Sequence, residues 1–214
     1  MSFDQILFYI SVYVPPLLFA ITFHEAAHGY AAKYFGDTTA YVLGRVSLNP
    51  SKHVDPIGTI LLPGLMILFS MPFVFGWAKP VPVSFGSLRR PKQNMVYVAL
   101  AGPLANLVMA FAWGIFLAII LKIGIQSEVL LSMGLVGVKF NCILMIFNLL
   151  PLPPLDGGRI LVGLLPTNLS MSLARVEPYG MWIVIALLML GGLDKFLASG
   201  VYHMTRIILS LVGL

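Results

Sequence analysis

Apolar residues fill long blocks of this chain, and short polar stretches separate them. The blocks cover residues 5–33, 57–75, 93–121, 129–150, 178–192 and 196–213. Several of them reach the roughly 20 apolar residues that a helix needs to cross a bilayer. The pattern therefore predicts an all-α polytopic membrane protein with five to six transmembrane helices.

The block at 57–75 differs from the others because glycine and proline interrupt it. Its breaks fall at Gly58, Pro63, Gly64 and Pro72. Broken backbone at membrane depth is tolerated where protein shields it, so a re-entrant segment that returns to its starting side fits this composition. An ordinary spanning helix is the alternative, on length alone. Residues 76–83 follow, and their two prolines fit an extended conformation and no helix. The region around 57–83 is therefore predicted to be a re-entrant or extended segment.

Basic residues predict the orientation of the chain. They crowd 33–52 and 79–92, which places both loops on one side, the cytoplasm, if 57–75 returns. Five full spans then follow, with the N-terminus outside and the C-terminus in the cytoplasm. Under this arrangement the basic residues inside are Lys33, Lys92 and Arg159, and those outside are Lys122 and Lys195.

Composition supports a membrane class. The chain is 59% apolar and 10% charged, far below the charge of a soluble domain. Its net charge of +5 fits basic loops at an anionic leaflet better than nucleic-acid binding. Cys142 is the only cysteine, which excludes a disulfide framework and a thiolate zinc cluster. We expect one membrane-embedded domain, 1–214, with a core at 5–160 and C-terminal helices at 178–213; the oligomeric state does not follow.

The first apolar block contains His24-Glu25-Ala26-Ala27-His28. On a helix, His24 and His28 are four residues apart, so their rings lie on one face and can share a zinc ion. Glu25 beside them is placed to act as a general base on water. Histidines satisfied within a core are the alternative, but buried ionisable groups in an apolar helix are costly unless they are paired or coordinated.

Asp156 is the candidate third ligand. It is the only carboxylate between Glu128 and Glu177, and it follows a proline-rich turn that would hold it rigidly. Its place near Arg159 puts it at a depth similar to that of His28. Two histidines and one carboxylate, with the fourth position open, form a catalytic zinc pattern. The alternative is that Asp156 only caps the helix that follows.

Other polar residues are candidates for a substrate groove. Gly102 and Asn106 share a helix face, as do Asn141 and Asn148, and for each asparagine a hydrogen bond between helices is as good an interpretation. Lys139 lies mid-span and is expected to face the bundle interior or water, with no role assigned. The remaining histidines are His53, a loop residue or a neighbour of the site, and His203, an interfacial side chain.

Three motifs in this order resemble the site-2 protease family of membrane-embedded zinc metalloproteases. They are His-Glu-Ala-Ala-His at 24–28, Gly-Pro-Leu-Ala-Asn at 102–106 and Asn-Leu-Leu-Pro through Leu-Asp-Gly at 148–157. The resemblance covers nearly the whole chain, which lacks the PDZ and CBS modules of longer relatives. It implies one Zn²⁺ per chain on His24, His28 and Asp156, with Glu25 as the catalytic glutamate. It also implies substrate-proximal roles for Gly102, Asn106 and Asn148.

The function so predicted is hydrolysis of peptide bonds in or near transmembrane segments of membrane proteins, at the cytoplasmic side of a prokaryotic membrane. The substrate helix must unwind locally, and the segment containing Pro80 and Pro82 is expected to bind it as an added strand. A metal-ion transporter that uses the same cluster is the alternative from another class, and it calls for ionisable groups spread over several spans. A zinc-retaining pseudoenzyme is disfavoured because Glu25 is present.

Overall fold

A computed structural model of the chain describes residues 2–69 and 76–214, and every described regular element is a helix. The α-helices are α1 (Phe3–Tyr34), α2 (Thr39–Val42), α3 (Leu62–Leu68), α4 (Pro91–Lys122), α5 (Glu128–Asn148), α6 (Asp156–Leu164), α7 (Thr167–Ala174), α8 (Glu177–Met189) and α9 (Asp194–Leu211). A π-helix at Pro56–Leu61 runs directly into α3, and 3-10 turns lie at Pro50–Lys52 and Phe85–Ser87.

Helix α1 begins with a capping box: the hydroxyl of Ser2 accepts a hydrogen bond from the N–H of Gln5, and the side-chain oxygen of Gln5 accepts one from the N–H of Ser2. It contains Pro15 and Pro16 and continues through the His24–His28 pair to Tyr34. Gly36 then reverses the chain with φ +111°, a conformation that favours glycine. The predicted single helix over 5–33 is therefore present.

Helices α1, α4 and α5 form the centre of the molecule, as predicted from the blocks at 5–33, 93–121 and 129–150. Helix α4 begins at Pro91, where the missing N–H costs nothing, and α5 is capped by the hydroxyl of Ser127. Helix α9 packs against α4 and α5 through the buried side chains Ala110, Val138 and Ile208. The metal-ligating candidates lie inside this assembly.

The chain between α2 and α4 returns on itself. Asp55 caps the π-helix by accepting from the N–H groups of Ile57 and Gly58. On the return, Trp77 donates its N–H to the carbonyl of Gly58 and accepts from the hydroxyl of Thr59. Residues 58 and 77 are therefore neighbours, so the described residues on the two sides of 70–75 lie at the same end of the bundle. Pro72, one of the predicted breaks, lies outside the described residues.

The C-terminal part differs from the predicted orientation. Leu193 and Leu197 pack with Leu150 and Leu155, at the end of the bundle where α5 stops. The other end of α9 lies beside Lys122, since Leu211 and Val212 line a surface groove together with that lysine. Helix α9 thus runs antiparallel to α5.

The prediction that Lys195 shares an end with Lys122 is therefore wrong, and so is the placement of the C-terminus at the end that carries Arg159. The reason is the length of α8, which has 13 residues, about 20 Å. It packs on the turn at 150–155 through Val184 instead of crossing to the far end, and the turn before α9 then reverses the chain.

Among the described residues, three helices are long and apolar enough to cross a membrane: α1, α4 and α5. Helices α7 and α8, bent by 64° at their junction, would make a fourth if they act as one span. The chain is a helical membrane protein by these criteria, and the predicted count of five to six spans is not confirmed.

Candidate metal centre and its neighbourhood

Three predicted ligands, His24, His28 and Asp156, come together in the structure. Their ligand atoms all lie within 4.8 Å of one another. The Nε2 atoms of the two histidines are 3.1 Å apart, and Oδ2 of Asp156 is 3.3 Å from each of them. All three residues are buried, between 7% and 9% exposed. Residues 24 and 156 are far apart in sequence, so this convergence is a product of the fold.

Hydrogen bonds on the far side of each ring fix which nitrogen carries the proton. Nδ1 of His24 lies 2.6 Å from the side-chain oxygen of Asn106, and Nδ1 of His28 lies 2.8 Å from the carbonyl of Val98. Both partners only accept, so both Nδ1 atoms are the protonated donors in the neutral rings. Each Nε2 therefore presents a lone pair to the other and to the carboxylate of Asp156.

Both the oxygen and the nitrogen of the Asn106 side-chain amide are hydrogen-bonded. While its oxygen accepts from His24, its nitrogen donates to the carbonyl of Ala20 at 3.1 Å and to the side-chain oxygen of Asn141 at 3.0 Å. Asn141 in turn donates to the carbonyl of Gly137. Because both asparagines are fully buried, this network orients the His24 ring from three helices, α1, α4 and α5.

Gly102 provides the space for the two rings. A methyl group at this position would lie 2.6 Å from Cε1 of both His24 and His28, closer than side-chain carbons approach in proteins. Helix α4 can thus pass directly over the histidine pair only because residue 102 has no side chain.

Asp156 is held by the turn that connects α5 to α6. It is the first residue of α6, and the capping position is Leu155, whose side chain makes no cap hydrogen bond. A methyl at Gly157 would lie 2.5 Å from the carbonyl oxygen of Leu150, and one at Gly158 would lie 2.6 Å from Cδ of Pro153. The helix start is thus packed tightly against the proline-rich turn. The capping alternative has no support in these contacts.

The donor set fits a zinc ion. Two imidazole nitrogens and one carboxylate oxygen converge, and each presents a lone pair with no hydrogen between them. Oδ2 of Asp156 is buried, and no donor among the described residues is aligned to hydrogen-bond it. Three unpaired acceptors at 3.1–3.3 Å repel one another unless a cation lies between them. Two histidines and one carboxylate are a known catalytic zinc set.

Glu25 faces a different partner from the histidines. Its Oε2 accepts the backbone N–H of Val81 at 2.7 Å, and none of the described residues hydrogen-bonds Oε1. Val81 belongs to the non-helical residues 76–84, here named the extended segment. The carboxylate next to the ligand pair is therefore tied to the backbone of a segment that comes from elsewhere in the chain.

The extended segment is anchored at both ends. Near its start, Lys79 donates its N–H to the carbonyl of His53, and Arg45 donates to the carbonyls of Lys79 and Pro80 at 3.0 and 3.2 Å. At its far end, the N–H of Ser84 donates to Oδ2 of Asp37 at 2.6 Å. These bonds set the position of Val81 relative to Glu25.

Asp37 lies at the turn after α1 and is 1% exposed. Burial acts to raise the pKa of this carboxyl, but hydrogen bonds from the hydroxyl and N–H of Thr39 and from the N–H of Ser84 outweigh it and lower the pKa. Asp37 is thus a carboxylate at neutral pH, and this charged form accepts the hydrogen bond that holds the extended segment.

The remaining predicted residues lie in varied surroundings. Asn148 donates to the carbonyl of Leu144 in its own helix, and Pro80 is exposed while Pro82 is half-buried in the extended segment. Substrate contact by these residues, and by Gly102 and Asn106, stays a prediction. His53 is buried and bonded to the carbonyl of Ser47, in the loop that supports the segment. Lys139 was predicted to face the bundle interior or water; its side chain is exposed, so it does not face the interior.

Two contributions to the site were missed from the sequence. The carbonyl of Val98 and the N–H of Val81 are backbone groups, which leave no trace in residue identity. Asp37 offered a weak signal, since Asp in Gly36-Asp37-Thr38-Thr39 is typical of a side chain that accepts from a backbone N–H two residues on.

Comparison with known proteins adds an independent line of support for a zinc site. The model of the family described as Peptidase family M50 matches residues 119–191, a region that includes Asp156. The chain is 38% identical over 193 residues to "Putative zinc metalloprotease YwhC" of Bacillus subtilis, covering 86% of this chain and 84% of that protein. It is 28% identical over 198 residues to "Putative zinc metalloprotease Rip2" of Mycolicibacterium smegmatis, covering 91% and 74%.

A more distant source gives a partial match. The chain is 37% identical over 101 residues to "Putative zinc metalloprotease MJ0611" of Methanocaldococcus jannaschii, covering 46% of this chain and 50% of that protein. No solved structure matches the chain significantly.

Proposed function

The chain belongs to peptidase family M50, the site-2 protease type of zinc metalloprotease, and from this premise we propose that it cleaves peptide bonds in or near transmembrane segments of membrane proteins. One observation carries the proposal. The metal-ligating set of His24, His28 and Asp156 lies inside a helical membrane protein, directly beside a carboxylate that is hydrogen-bonded to an extended backbone segment.

His24, His28 and Asp156 would hold the zinc ion, which when bound would supply a Lewis acid for the scissile carbonyl and lower the pKa of water. Glu25 accepts the proton of the attacking water at Oε1, the oxygen that the described residues leave free. The same carboxyl then delivers the proton to the leaving amine. The N–H of Val81 holds Oε2 throughout, so the carboxyl group does not rotate away between the two proton transfers.

The extended segment supports a binding mode for the substrate. A helix in a membrane has its backbone hydrogen-bonded internally, so the bond to be cut is exposed only after local unwinding. Beside Glu25, the carbonyl of Val81 and both backbone groups of Val83 have no hydrogen-bond partner among the described residues. An unwound substrate strand pairs with these groups by strand addition, and Pro80 and Pro82 favour the extended conformation that this requires.

The same contacts support a proposal for the membrane arrangement. We propose that helices α1, α4 and α5, which are long and apolar enough to do so, cross the bilayer, and that residues 58 and 77, which are hydrogen-bonded neighbours, lie on the side of the basic loops. We assign that side to the cytoplasm of a prokaryotic cell, since Arg45, Lys52, Lys79 and Arg89 lie there. Cysteines at 45 and 90, in a Cys142→Ser background, should react with an impermeant reagent from the same side of sealed vesicles. Reaction from opposite sides contradicts the return of 57–75.

The function is tested with the Glu25→Gln variant. Membranes from cells producing the parental or the variant chain are compared by mass spectrometry of new peptide termini. We expect termini within transmembrane segments only with the parental chain, and a rate at least about 10²-fold lower for Glu25→Gln, because the general base is lost. Zinc content should be unchanged, since the ligands remain. Glu128→Gln, an exposed glutamate at the start of α5, is the matched control and should keep activity.

Three outcomes contradict the proposal. Equal cleavage by Glu25→Gln excludes Glu25 as the base. New termini confined to soluble loops exclude cleavage near transmembrane segments. Zinc flux into liposomes that contain the parental chain, with no cleavage of any membrane protein, establishes the transporter alternative instead.

A further inference from the structure

Arg159 contacts parts of the molecule that are far apart in sequence. It lies on α6, three residues after Asp156. Its Nη2 donates to Oε1 of Glu177, the first residue of α8, at 3.1 Å. Its guanidinium carbon lies over the ring of Phe85, 5.0 Å from the ring centroid, and Phe85 directly follows the extended segment. One side chain thus connects the helix of the third ligand, helix α8 and the end of the extended segment.

The Phe85 ring belongs to the packing around this end of the extended segment. Phe85 and Val83 both pack against a buried cluster that joins α1 to α4 and consists of Ala32, Leu88 and Val98. The same ring carries the guanidinium of Arg159. Phe85 therefore contacts the helix assembly and Arg159 at once, one residue after the N–H of Ser84 that donates to Asp37.

The guanidinium is held where one of its nitrogens has no acceptor. The Arg159 side chain is 31% exposed, yet its Nε is buried and none of the described residues accepts a hydrogen bond from it. A buried donor without an acceptor is unfavourable, and a freely moving arginine would turn this nitrogen towards water. The carboxylate of Glu177 and the face of the Phe85 ring are the contacts that hold it, and a planar guanidinium can use both together.

A surface ion pair alone does not account for this arrangement. Glu177 is 46% exposed, and exposed ion pairs contribute little to stability. The ring contact has a different consequence, because it ties α6 to a residue adjoining the segment whose Val81 donates to Glu25. Its effect is expected on the position of that segment more than on the stability of the fold.

We propose that Arg159 is a positioning residue, which acts through Phe85 to hold the end of the extended segment where the substrate strand pairs with it. The inference rests on the proposed function, since it gives the position of the segment a role in cleavage. Val83, two residues before Phe85, carries backbone groups to which the unwound strand is proposed to bind. With the guanidinium on the ring, these groups keep one position. Without it, the segment samples several positions and pairs with the strand less often.

The first measurement follows the segment without using activity. A nitroxide spin label is attached through Gly86→Cys, in the turn that begins at Phe85, in a Cys142→Ser background. Residue 86 is exposed, and a Cβ there would meet no atom within 4 Å, so the label leaves the packing intact. In liposomes we expect restricted label motion in the parental chain. Arg159→Gln and Phe85→Leu should each shorten the rotational correlation time by about twofold or more, because the turn loses a contact.

The second measurement is the rate at which new peptide termini appear in membranes. Arg159→Gln and Phe85→Leu should each lower this rate about fivefold, as expected for loss of a partly buried contact between a cation and a ring. The double variant should be no slower than Arg159→Gln, since both changes remove the same contact. Phe85→Tyr keeps the ring and should restore most of the rate. Zinc content should be unchanged in every variant, because the three ligands remain.

Arg175→Gln is the matched control. Arg175 is an exposed arginine at the end of α7, two residues before Glu177, and in the described part of the chain its side chain pairs with no carboxylate and no ring. Its replacement should leave label motion and the rate of cleavage at their parental values. A change equal to that of Arg159→Gln would show a general effect of removing positive charge and would overturn the proposal.

Three other results also overturn it. Unchanged label motion in both Arg159→Gln and Phe85→Leu shows that the contact does not hold the segment. Independent losses of rate that multiply in the double variant show that the two residues do not act together. Loss of zinc in Arg159→Gln shows that Arg159 acts on Asp156 instead. Increased label motion in both variants of a chain that cleaves no membrane protein supports the contact and counts against the proposed protease function alone.

Discussion

The two sides of the proposed catalytic centre are built in different ways. On the ligand side, His24, His28 and Asp156 are buried among helices. Gly102 allows the close approach of α4, and Asn106 of α4 is hydrogen-bonded to α1 and α5. On the other side, the extended segment is held to Glu25 and Asp37 by single hydrogen bonds, and several of its residues are exposed.

This difference separates two requirements. Metal ligands must keep their distances within a few tenths of an ångström, and close packing with committed hydrogen bonds achieves that. A segment with the proposed role of receiving varied substrate sequences must tolerate small displacements, and a few hydrogen bonds along an extended backbone permit them. Changes on the ligand side should therefore alter zinc affinity, and changes at the extended segment should alter turnover while zinc remains.

The largest effect is expected from removing a ligand. His28→Ala leaves only two converging ligands, so the purified variant should lose most of its zinc and all detectable cleavage. Elemental analysis of the purified protein measures this. His203→Ala, a histidine on the outside of α9, is the control and should keep one zinc per chain. Full zinc content in both His24→Ala and His28→Ala contradicts the site assignment.

A smaller effect is expected at Gly102. In Gly102→Ala the added methyl collides with both histidine rings, and overpacking of this kind costs about 1–3 kcal/mol. We expect zinc affinity to fall about 100-fold, measured by competition with a chelator of known affinity. Gly114→Ala in the same helix meets side-chain carbons only at 3.4 Å and should leave the affinity unchanged. Unchanged affinity in Gly102→Ala contradicts the close approach of α4 to the ring pair.

Asn106→Ala should have a more modest effect on the metal. The variant keeps all three ligands but leaves Nδ1 of His24 without its acceptor, which typically costs about tenfold or more in metal affinity. The same competition assay measures the loss. Asn148→Ala, which breaks only a hydrogen bond within α5, is the control. Equal zinc affinity in the two asparagine variants shows that the network does not orient His24.

The smallest effect is expected at the extended segment. Asp37→Asn replaces one acceptor oxygen with an amide nitrogen, which cannot accept from Ser84, so the segment and the N–H of Val81 lose one anchor. A hydrogen bond is worth about 0.5–1.5 kcal/mol, and we expect kcat to fall about fivefold with unchanged zinc content. Asp55→Asn, at the cap of the π-helix, is the control. Loss of zinc in Asp37→Asn contradicts the separation of the two sides.

The same residue gives a pH dependence. The folded pKa of Asp37 is lowered, so its stabilising contribution is present above the unfolded value of about 3.9 and is lost as pH falls through the folded value. Urea unfolding between pH 7 and pH 3 should show a smaller loss of stability in Asp37→Asn than in the parental chain. An identical pH dependence in both chains rules out this carboxylate as the source.

The convergence of His24, His28 and Asp156 could be predicted from the sequence because its signals are local. The four-residue spacing of His24 and His28 implies a shared face once the block is helical, and Asp156 stands alone in an apolar region. The hydrogen-bond partner of His24 was harder to predict. The sequence supported equally a role for Asn106 in contacting substrate and a role in a hydrogen bond between helices. Its three hydrogen bonds depend on where α1 and α5 lie, which pattern alone does not give.

The direction of α9 is a second feature that the sequence pattern did not predict. Counting charges assigned Lys195 and Lys122 to one end, on the assumption that 178–192 crosses the membrane. The structure packs α8 on the turn at 150–155, where Gly180 fits against Pro153. That contact is long-range and specific to the shape of the turn, so no periodicity or hydropathy reveals it.

In the proposed mechanism, the hydrogen bond between Val81 and Glu25 couples substrate recognition by the extended segment to proton transfer by the carboxylate. Any ligand that favours one position of the extended segment also favours one position of the carboxylate, and this coupling is reciprocal. Two peptides of equal affinity can therefore differ in turnover, if only one of them keeps the extended segment where the N–H of Val81 donates to Oε2 of Glu25. Selectivity then resides in the rate at which a bound chain is cut, and a tightly bound helix that leaves the segment displaced is an inhibitor.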